Sequence, residues 1–385
     1  MHFADNRSKW GRYVPMFVFL IFVYGMAIWF IFSPKLDYSS AEKRYLQEFP
    51  NVSIENISSG QFGTEFESYF ADHFPNRNLW VGFNAYYSLA TGNNGSSGVY
   101  HCKNDYLINK PVSTDNKLDK NTKAIIDFKN SINTPVTVMF APSTGYVCDD
   151  VLPLFHDKYN DDLYFEDISK KLSQENIPFV DLRETFKEEY KKGNQLYYRT
   201  DHHWTSYGAY TGYVQLCNQL GITPADKSKF DIEKYSDFYG TTYSTSGFML
   251  TPPDDIEVWN NKQNKESDIT VTITEGTESN TYNSMFFKSH LDEDDKYPVY
   301  VDGNHALTEI TNKNAKGGTL VMVKDSFGHC IAPFLAENYS KVIMIDMRYY
   351  KLDVAKLIEQ EKPEQVLVMY GIDNIATDTD LVWIN

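Results

Sequence analysis

Gly318-Thr319-Leu320-Val321-Met322-Val323-Lys324-Asp325-Ser326-Phe327-Gly328-His329 is the stretch that decides how the chain is read. An apolar, β-branched run of strand length (319–323) passes directly into Lys324, Asp325 and Ser326, and 331–337 then reads as a helix. A serine at such a strand-to-helix turn projects from the carboxyl edge of a parallel sheet. There, free helix amides can stabilise a developing oxyanion. The same position also suits a serine that only caps the helix.

Working outward, the alternation continues on both sides. Downstream come a strand over 341–345, a helix over 352–360 and a strand over 365–369, whose carboxyl end carries Gly371-Ile372-Asp373-Asn374. The Asn374 amide suits an oxyanion donor, and the same residues also suit a plain turn. Upstream, a helix over 117–131 precedes a strand over 136–141 that ends in Pro142; a helix (163–175), a strand (179–182) and a helix (184–192) follow. The next helix, 206–220, closes at Gly221 and shows an apolar face of Tyr207, Tyr210, Val214 and Cys217. Residues 238–309 have no helical period and read as an irregular insertion bearing substrate-shaping loops. The pattern predicts a parallel α/β layer.

The N-terminus carries a separate signal. No charged residue occurs over 14–33, and 20 helical residues span about 30 Å, one hydrocarbon thickness. The alternative, a cleaved signal peptide, is disfavoured because the run ends in Trp29-Phe30-Ile31-Phe32 without a small-x-small site. Arg7, Lys9 and Arg12 against Asp5 place residues 1–13 in the cytoplasm, with a single-pass cell-membrane anchor over 14–34 and the remainder extracytoplasmic. Residues 35–98 read as a helical stalk or collar, with a short amphipathic helix over 39–50 and a longer one over 60–89 interrupted at Pro75. The Gly92 to Gly98 stretch reads as a linker to a catalytic body at 99–385.

Composition sets limits. With 385 residues and 42% hydrophobic content the chain can bury a sizeable core, and a formal charge of -16 argues against a nucleic-acid partner. Cys102, Cys148, Cys217 and Cys330 lack zinc-site spacing; they read equally as disulfides or as free core thiols. No metal and no cofactor are implied.

The remaining chemical signal is Thr200-Asp201-His202-His203-Trp204, in the loop ahead of the 206–220 helix. An aspartate two residues before a histidine can orient its imidazole and stabilise its cation, as a general base in acyl transfer requires. An N-capping aspartate beside a surface histidine, or a metal site on His202 and His203, are the other readings.

Taken together, these pieces resemble a known family. Val180-Asp181-Leu182, Asp201-x-His203 and Gly208 resemble the last block of SGNH hydrolases; Asp325-Ser326 and Gly371 to Asn374 resemble its nucleophile and oxyanion blocks, here in permuted order. That order, with a single anchor, is similar to the DHHW family and the related alginate O-acetyltransferase proteins. Supporting matches include Glu42 to Pro50, Asp72-His73-Phe74-Pro75-x-Arg77, Asp201-His202-His203-Trp204, Phe238-Tyr239-Gly240, Gly303-Asn304-His305, Lys324-Asp325-Ser326-Phe327 and Asp346-Met347-Arg348-Tyr349-Tyr350.

The resemblance implies an SGNH-like three-layer fold. It implies Ser326 as nucleophile, His203 as general base and Asp201 as its orienter, with His202 structural or substrate-facing. Asn374 stands in a Gly-x-Asp-Asn order where the family has Gly-x-Asn-Asp, and Lys324 replaces the superfamily's glycine. Arg199, as a substrate contact or rim salt bridge, and Trp204 complete the substrate-binding candidates. The implied activity is O-acetyl transfer to an exported or cell-surface polysaccharide through an acetyl-serine, beside a membrane-bound O-acyltransferase that supplies acyl groups. Carbohydrate O-acetylesterase activity and non-catalytic glycan binding are the alternatives.

Overall fold

Side-chain alternation on the central strands fixes the architecture of the larger part of the chain. The structure is a computed structural model that describes residues 13–384, so Asp5, Arg7, Lys9 and Arg12, which carry the orientation reading, lie outside the described residues. Two compact units divide between Tyr87 and Ser88.

In the first unit, α1 (Val14–Phe32) is 19 residues long, has a mean hydropathy of 2.4 and has no buried residue. It is long and apolar enough to cross a membrane, a property an N-terminal signal sequence shares. Helices α2 (Gln61–Asp72) and α3 (Arg77–Ala90) follow, separated at Pro75 as the sequence predicts. The helix expected over 39–50 is absent. That segment instead forms a small hairpin, Tyr38–Ser39 with Arg44–Tyr45. The physical reason is a set of ion pairs that holds it extended: Asp72 accepts from Arg44 Nη1 at 2.9 Å and from the Gln47 amide at 2.9 Å, and Glu42 pairs with Arg44 and Arg77.

In the second unit, α4 (Lys117–Ser131), β1 (Val136–Ala141), α5 (Asp161–Gln174), β2 (Phe179–Asp181), α6 (Arg183–Lys191) and α7 (Ser206–Leu220) follow the predicted alternation. After β3 (Ile269–Glu275), β4 (Glu278–Tyr282) and β5 (Leu307–Asn312) come β6 (Gly317–Lys324), α8 (Phe327–Leu335), β7 (Tyr339–Ile345), α9 (Val354–Glu361) and β8 (Gln365–Gly371). Eight strands form one sheet in the order β4-β3-β5-β7-β6-β8-β1-β2. Strands β7, β6, β8, β1 and β2 run parallel.

The wholly parallel expectation is corrected by the other three. They run antiparallel and come from the region read as an irregular insertion. Ile269, Val271 and Ile273 alternate with threonines, so one face packs on the core and the other faces outward. The polar run around them obscured that period. The 92–98 stretch is also folded rather than a free linker, since Gly95 pairs with Tyr100 in a small three-stranded sheet.

Two cores cover the two faces of the sheet, giving three layers. Leu320, Met322, Met344 and Met369 meet Phe186, Tyr213 and Phe334 on one side. Val321, Val323, Ile343 and Val368 meet Phe128, Phe165 and Ile358 on the other. Strands buried on both faces read as continuous apolar runs, which is why they were legible. All four cysteines are buried free thiols; burial pushes the Cys102, Cys217 and Cys330 thiols up to about 12.

The ion-pair set around Asp72 makes one prediction. Asp72→Ala should release the 38–48 segment, so amide exchange at Gln47 should accelerate at least tenfold, by roughly the 1.4 kcal/mol that one charged hydrogen bond contributes, while 136–141 stays protected. Unchanged exchange at Gln47 would contradict the account.

Candidate active site

Strand β6 ends at Lys324 and α8 begins at Phe327, so Ser326 occupies the turn between them. Its backbone is already helical (φ -64, ψ -20) and its side chain makes no capping bond. The hydroxyl lies instead 2.7 Å from His203 Nε2. His203 Nδ1 lies 2.6 Å from Asp201 Oδ1. An ionised carboxylate only accepts, so His203 Nδ1 carries the ring proton and donates it to Asp201; Nε2 is then free to accept from Ser326.

Asp201 is 2% exposed and His203 is 4% exposed, and the local fold holds both. The Asp201 carboxylate also accepts from the His203 amide (2.8 Å), the Thr241 amide (2.7 Å) and the Thr241 hydroxyl (3.1 Å). Burial alone would raise its pKa. The two histidines and these hydrogen bonds outweigh that and hold it well below the usual carboxylate range. Gly240 makes the approach possible, because a Cβ there would fall 2.1 Å from the Asp201 side chain. The His203 ring is stacked by Tyr297 (centroids 3.8 Å, 7°) and faces His202 on its other flank at 3.8 Å. Tyr297 comes from the 238–309 region, and nothing in the sequence spacing signals its role.

Asp325 links the serine turn to the end of β8. It accepts from the Phe327 amide (2.9 Å), the Gly371 amide (2.8 Å) and Asn374 Nδ2 (2.7 Å). Burial pushes its pKa up while those donors oppose the rise. Asn374 thus lines the cleft with one amide hydrogen committed to Asp325 and the other available. Ser326, His203, Asp201, His202 and Asn374 all border one cleft of about 360 Å³.

Two substrate-binding candidates lie elsewhere. Arg199 bonds Asp254 at 3.2 Å and the Pro253 carbonyl at 2.7 Å, and it borders a separate depression. Asp254 is 2% exposed, so a cation beside it is required and the guanidinium serves there. Trp204 is fully buried. Its indole donates to the Phe327 carbonyl at 3.1 Å and packs on the Phe327 ring, so it braces the start of α8 rather than touching a ligand.

Asp201, His202 and His203 also present ligand atoms within 4.8 Å of one another. Those atoms are committed: both His203 nitrogens and both Asp201 oxygens are bonded as above, and His202 Nδ1 lies 2.6 Å from the Thr241 hydroxyl. A cation would have to displace that network.

At the same sheet edge, the Ser143 hydroxyl lies 3.0 Å from Asp161 Oδ2 and 2.9 Å from Asp373 Oδ1. One hydroxyl has one proton, so one of the two carboxyls is itself protonated and donates back. Burial pushes Asp161 up to about 6 and Asp373 up to about 7.

The chain is therefore an α/β protein with an aspartate-histidine-serine hydrogen-bond chain at the carboxyl edge of its sheet. The sequence model of the DHHW protein family matches residues 174–345. A DHHW family protein from Eubacterium siraeum shares the fold with a TM-score of 0.62 at 20% identity, over 75% of this chain and 95% of that one. Bacillus cereus PatB1, solved with a sulfonyl adduct, gives 0.61 at 19%, over 74% of this chain and 97% of that one. No curated protein sequence matches the chain.

Two predictions follow from this geometry. Gly240→Ala should displace Asp201, costing about 1–3 kcal/mol of stability and loosening the His203 ring; an unchanged melting curve would refute it. For Asp161 and Asp373, the unfolded chain loses these protons near 3.8, so the folded state holds more protons up to about 6 to 7. Stability should accordingly fall as pH rises across that window. Urea titrations at about pH 4.5 and about pH 8 should show a smaller decline for Asp373→Asn than for the unsubstituted chain.

Proposed function

We propose that the protein is a serine acyl-transfer enzyme of the SGNH type with permuted blocks, in which Ser326, His203 and Asp201 form the catalytic triad. The observation that carries this reading is the Ser326 hydroxyl held 2.7 Å from a buried, carboxylate-oriented imidazole. Ser326 Oγ attacks an acyl carbonyl while its proton passes to His203 Nε2. The carbonyl carbon's bond to the donor oxygen breaks, and the leaving group takes that proton. An acceptor hydroxyl then gives its proton to His203 and attacks the acyl-serine, and Ser326 leaves with the proton restored. Asp201 stabilises the imidazolium in both steps. The free hydrogen of the Asn374 amide and the amides at the start of α8 suit the oxyanion.

The acyl group is acetyl and the acceptor an exported or cell-surface polysaccharide, by resemblance to the DHHW and alginate O-acetyltransferase proteins. Helix α1 is the uncleaved anchor of the cell membrane, with its basic flank (Arg7, Lys9, Arg12) inside and the active site outside. A membrane-bound O-acyltransferase supplies the acyl groups there. Water in place of the sugar would make the same site an esterase, and free acetate against acetylated glycan distinguishes the two.

With an activated acetyl ester as donor, Ser326→Ala and His203→Ala should lower turnover by about 10⁴-fold or more, and Asp201→Asn by about 10³–10⁴-fold. A folded Ser326→Ala protein that turns over the ester at the unsubstituted rate would end this reading. If it also retained polysaccharide affinity while the unsubstituted chain showed no turnover, glycan binding would replace it.

A further inference from the structure

Behind Ser326 lies a buried polar relay that the triad does not use. Lys324, the last residue of β6, is 2% exposed; its Nζ lies 2.7 Å from His329 Nε2 and 3.0 Å from Asp346 Oδ2. Asp346 follows β7 and also accepts from Arg348 Nε at 2.8 Å and Nη2 at 2.6 Å. Gly328 gives Lys324 its room, because a Cβ at 328 would meet the lysine stem at 2.7 Å.

His329 sits in the first turn of α8, is 1% exposed and borders the same cleft as Ser326. Its Nδ1 has no hydrogen-bond partner among the described residues. Burial lowers the Lys324 pKa and the Asp346 carboxylate, 3.0 Å away, opposes that fall; as an ammonium paired with Asp346, Lys324 only donates, so Nε2 is the acceptor and the single ring proton sits on Nδ1. Burial, reinforced by the Lys324 charge, keeps the imidazole pKa well below its ordinary value, so the ring stays neutral. A buried N–H without a partner is costly and calls for an explanation.

We propose that His329 Nδ1–H is the donor that the cleft presents to an oxygen of the acceptor sugar, with Lys324 as the positioning residue that fixes its tautomer. This rests on the acyl-transfer reading above. The side of the cleft distinguishes the acceptor from the oxyanion. Strands β7 and β8 flank β6 on opposite sides; Asn374 arrives from the β8 side, and the relay through Asp346 arrives from the β7 side. Arg348 and Asn304, bonded to each other at 2.8 Å, border the cleft on that second side. A neutral, single-proton donor suits a hydroxyl, ring or glycosidic oxygen.

The test separates the two half-reactions in the full-length, detergent-solubilised protein. Acetyl-serine formation from an activated acetyl ester is followed by quenched mass spectrometry. Its consumption is then followed with a panel of neutral oligosaccharides: cellopentaose, xylohexaose and chitopentaose.

His329→Gln keeps an acceptor for Lys324 but offers nothing at the Nδ1 position, whereas His329→Asn places an amide donor there. The Gln variant should acylate within about twofold of the unsubstituted rate and transfer roughly tenfold more slowly; the Asn variant should transfer within about threefold of it. Lys324→Met, which frees the tautomer, should slow transfer in the same way as Gln. Gln and Asn variants that both transfer at the unsubstituted rate, or acylation that falls in step with transfer, would overturn the proposal. So would an unsubstituted protein that acylates yet transfers to no sugar in the panel. An unsubstituted protein that forms no acetyl-serine would overturn the acyl-transfer reading itself.

Discussion

One hydrogen bond, 2.7 Å between His203 Nε2 and Ser326 Oγ, joins residues 123 positions apart and organises the chemistry of the chain. It has direction only because Asp201 fixes the imidazole from behind, and Asp201 is ionised in a buried place only because four donors converge on it. Two residues, His203 and Thr241, supply those donors, each held by its own local constraint. The 201–203 turn gives the His203 amide, the bare Gly240 lets Thr241 close in, and Trp204 ties the segment to the start of α8. A chain of small requirements in separate parts of the sequence thus converges on one proton path.

The sheet distributes the rest of the site. Strand β6 brings the serine, β8 brings Gly371 and Asn374, and β7 brings Asp346, so the three central strands deliver groups to Ser326 from both sides. Asp325 and Lys324 play mirror parts beside Ser326. Asp325 gathers donors from the β8 side, while Lys324 donates to Asp346 on the β7 side. The antiparallel strands that extend the sheet belong to the same region that supplies Tyr297, whose ring covers His203. What looked like peripheral loop is a wall of the cleft.

The parallel half of the sheet was legible because strands covered on both faces must be largely apolar, and the runs 138–141 and 320–323 are wholly so. Helix α7 was legible because its start at Ser206, its apolar spacing and Gly221 all agree. The antiparallel extension was hidden because a strand with one face exposed alternates with threonine, and Thr-rich alternation amid Asn and Glu resembles loop composition. The hairpin over 38–45 was hidden because ion pairs to a residue 28 positions away overrode local helical spacing. At the site, Asp201, His203 and Ser326 were readable from residue type and position. Tyr297, His329 and Asp346 were not, since a stacking ring or a buried relay leaves no spacing signature.

Intact mass spectrometry of the full-length protein mixed with an activated acetyl ester, followed by peptide mapping, tests the central claim most directly. The account predicts a single added acetyl group on Ser326, absent from Ser326→Ala and strongly diminished in His203→Ala. An acetyl group carried on another residue, or an unmodified Ser326 in a folded protein that still turns over the ester, would contradict it.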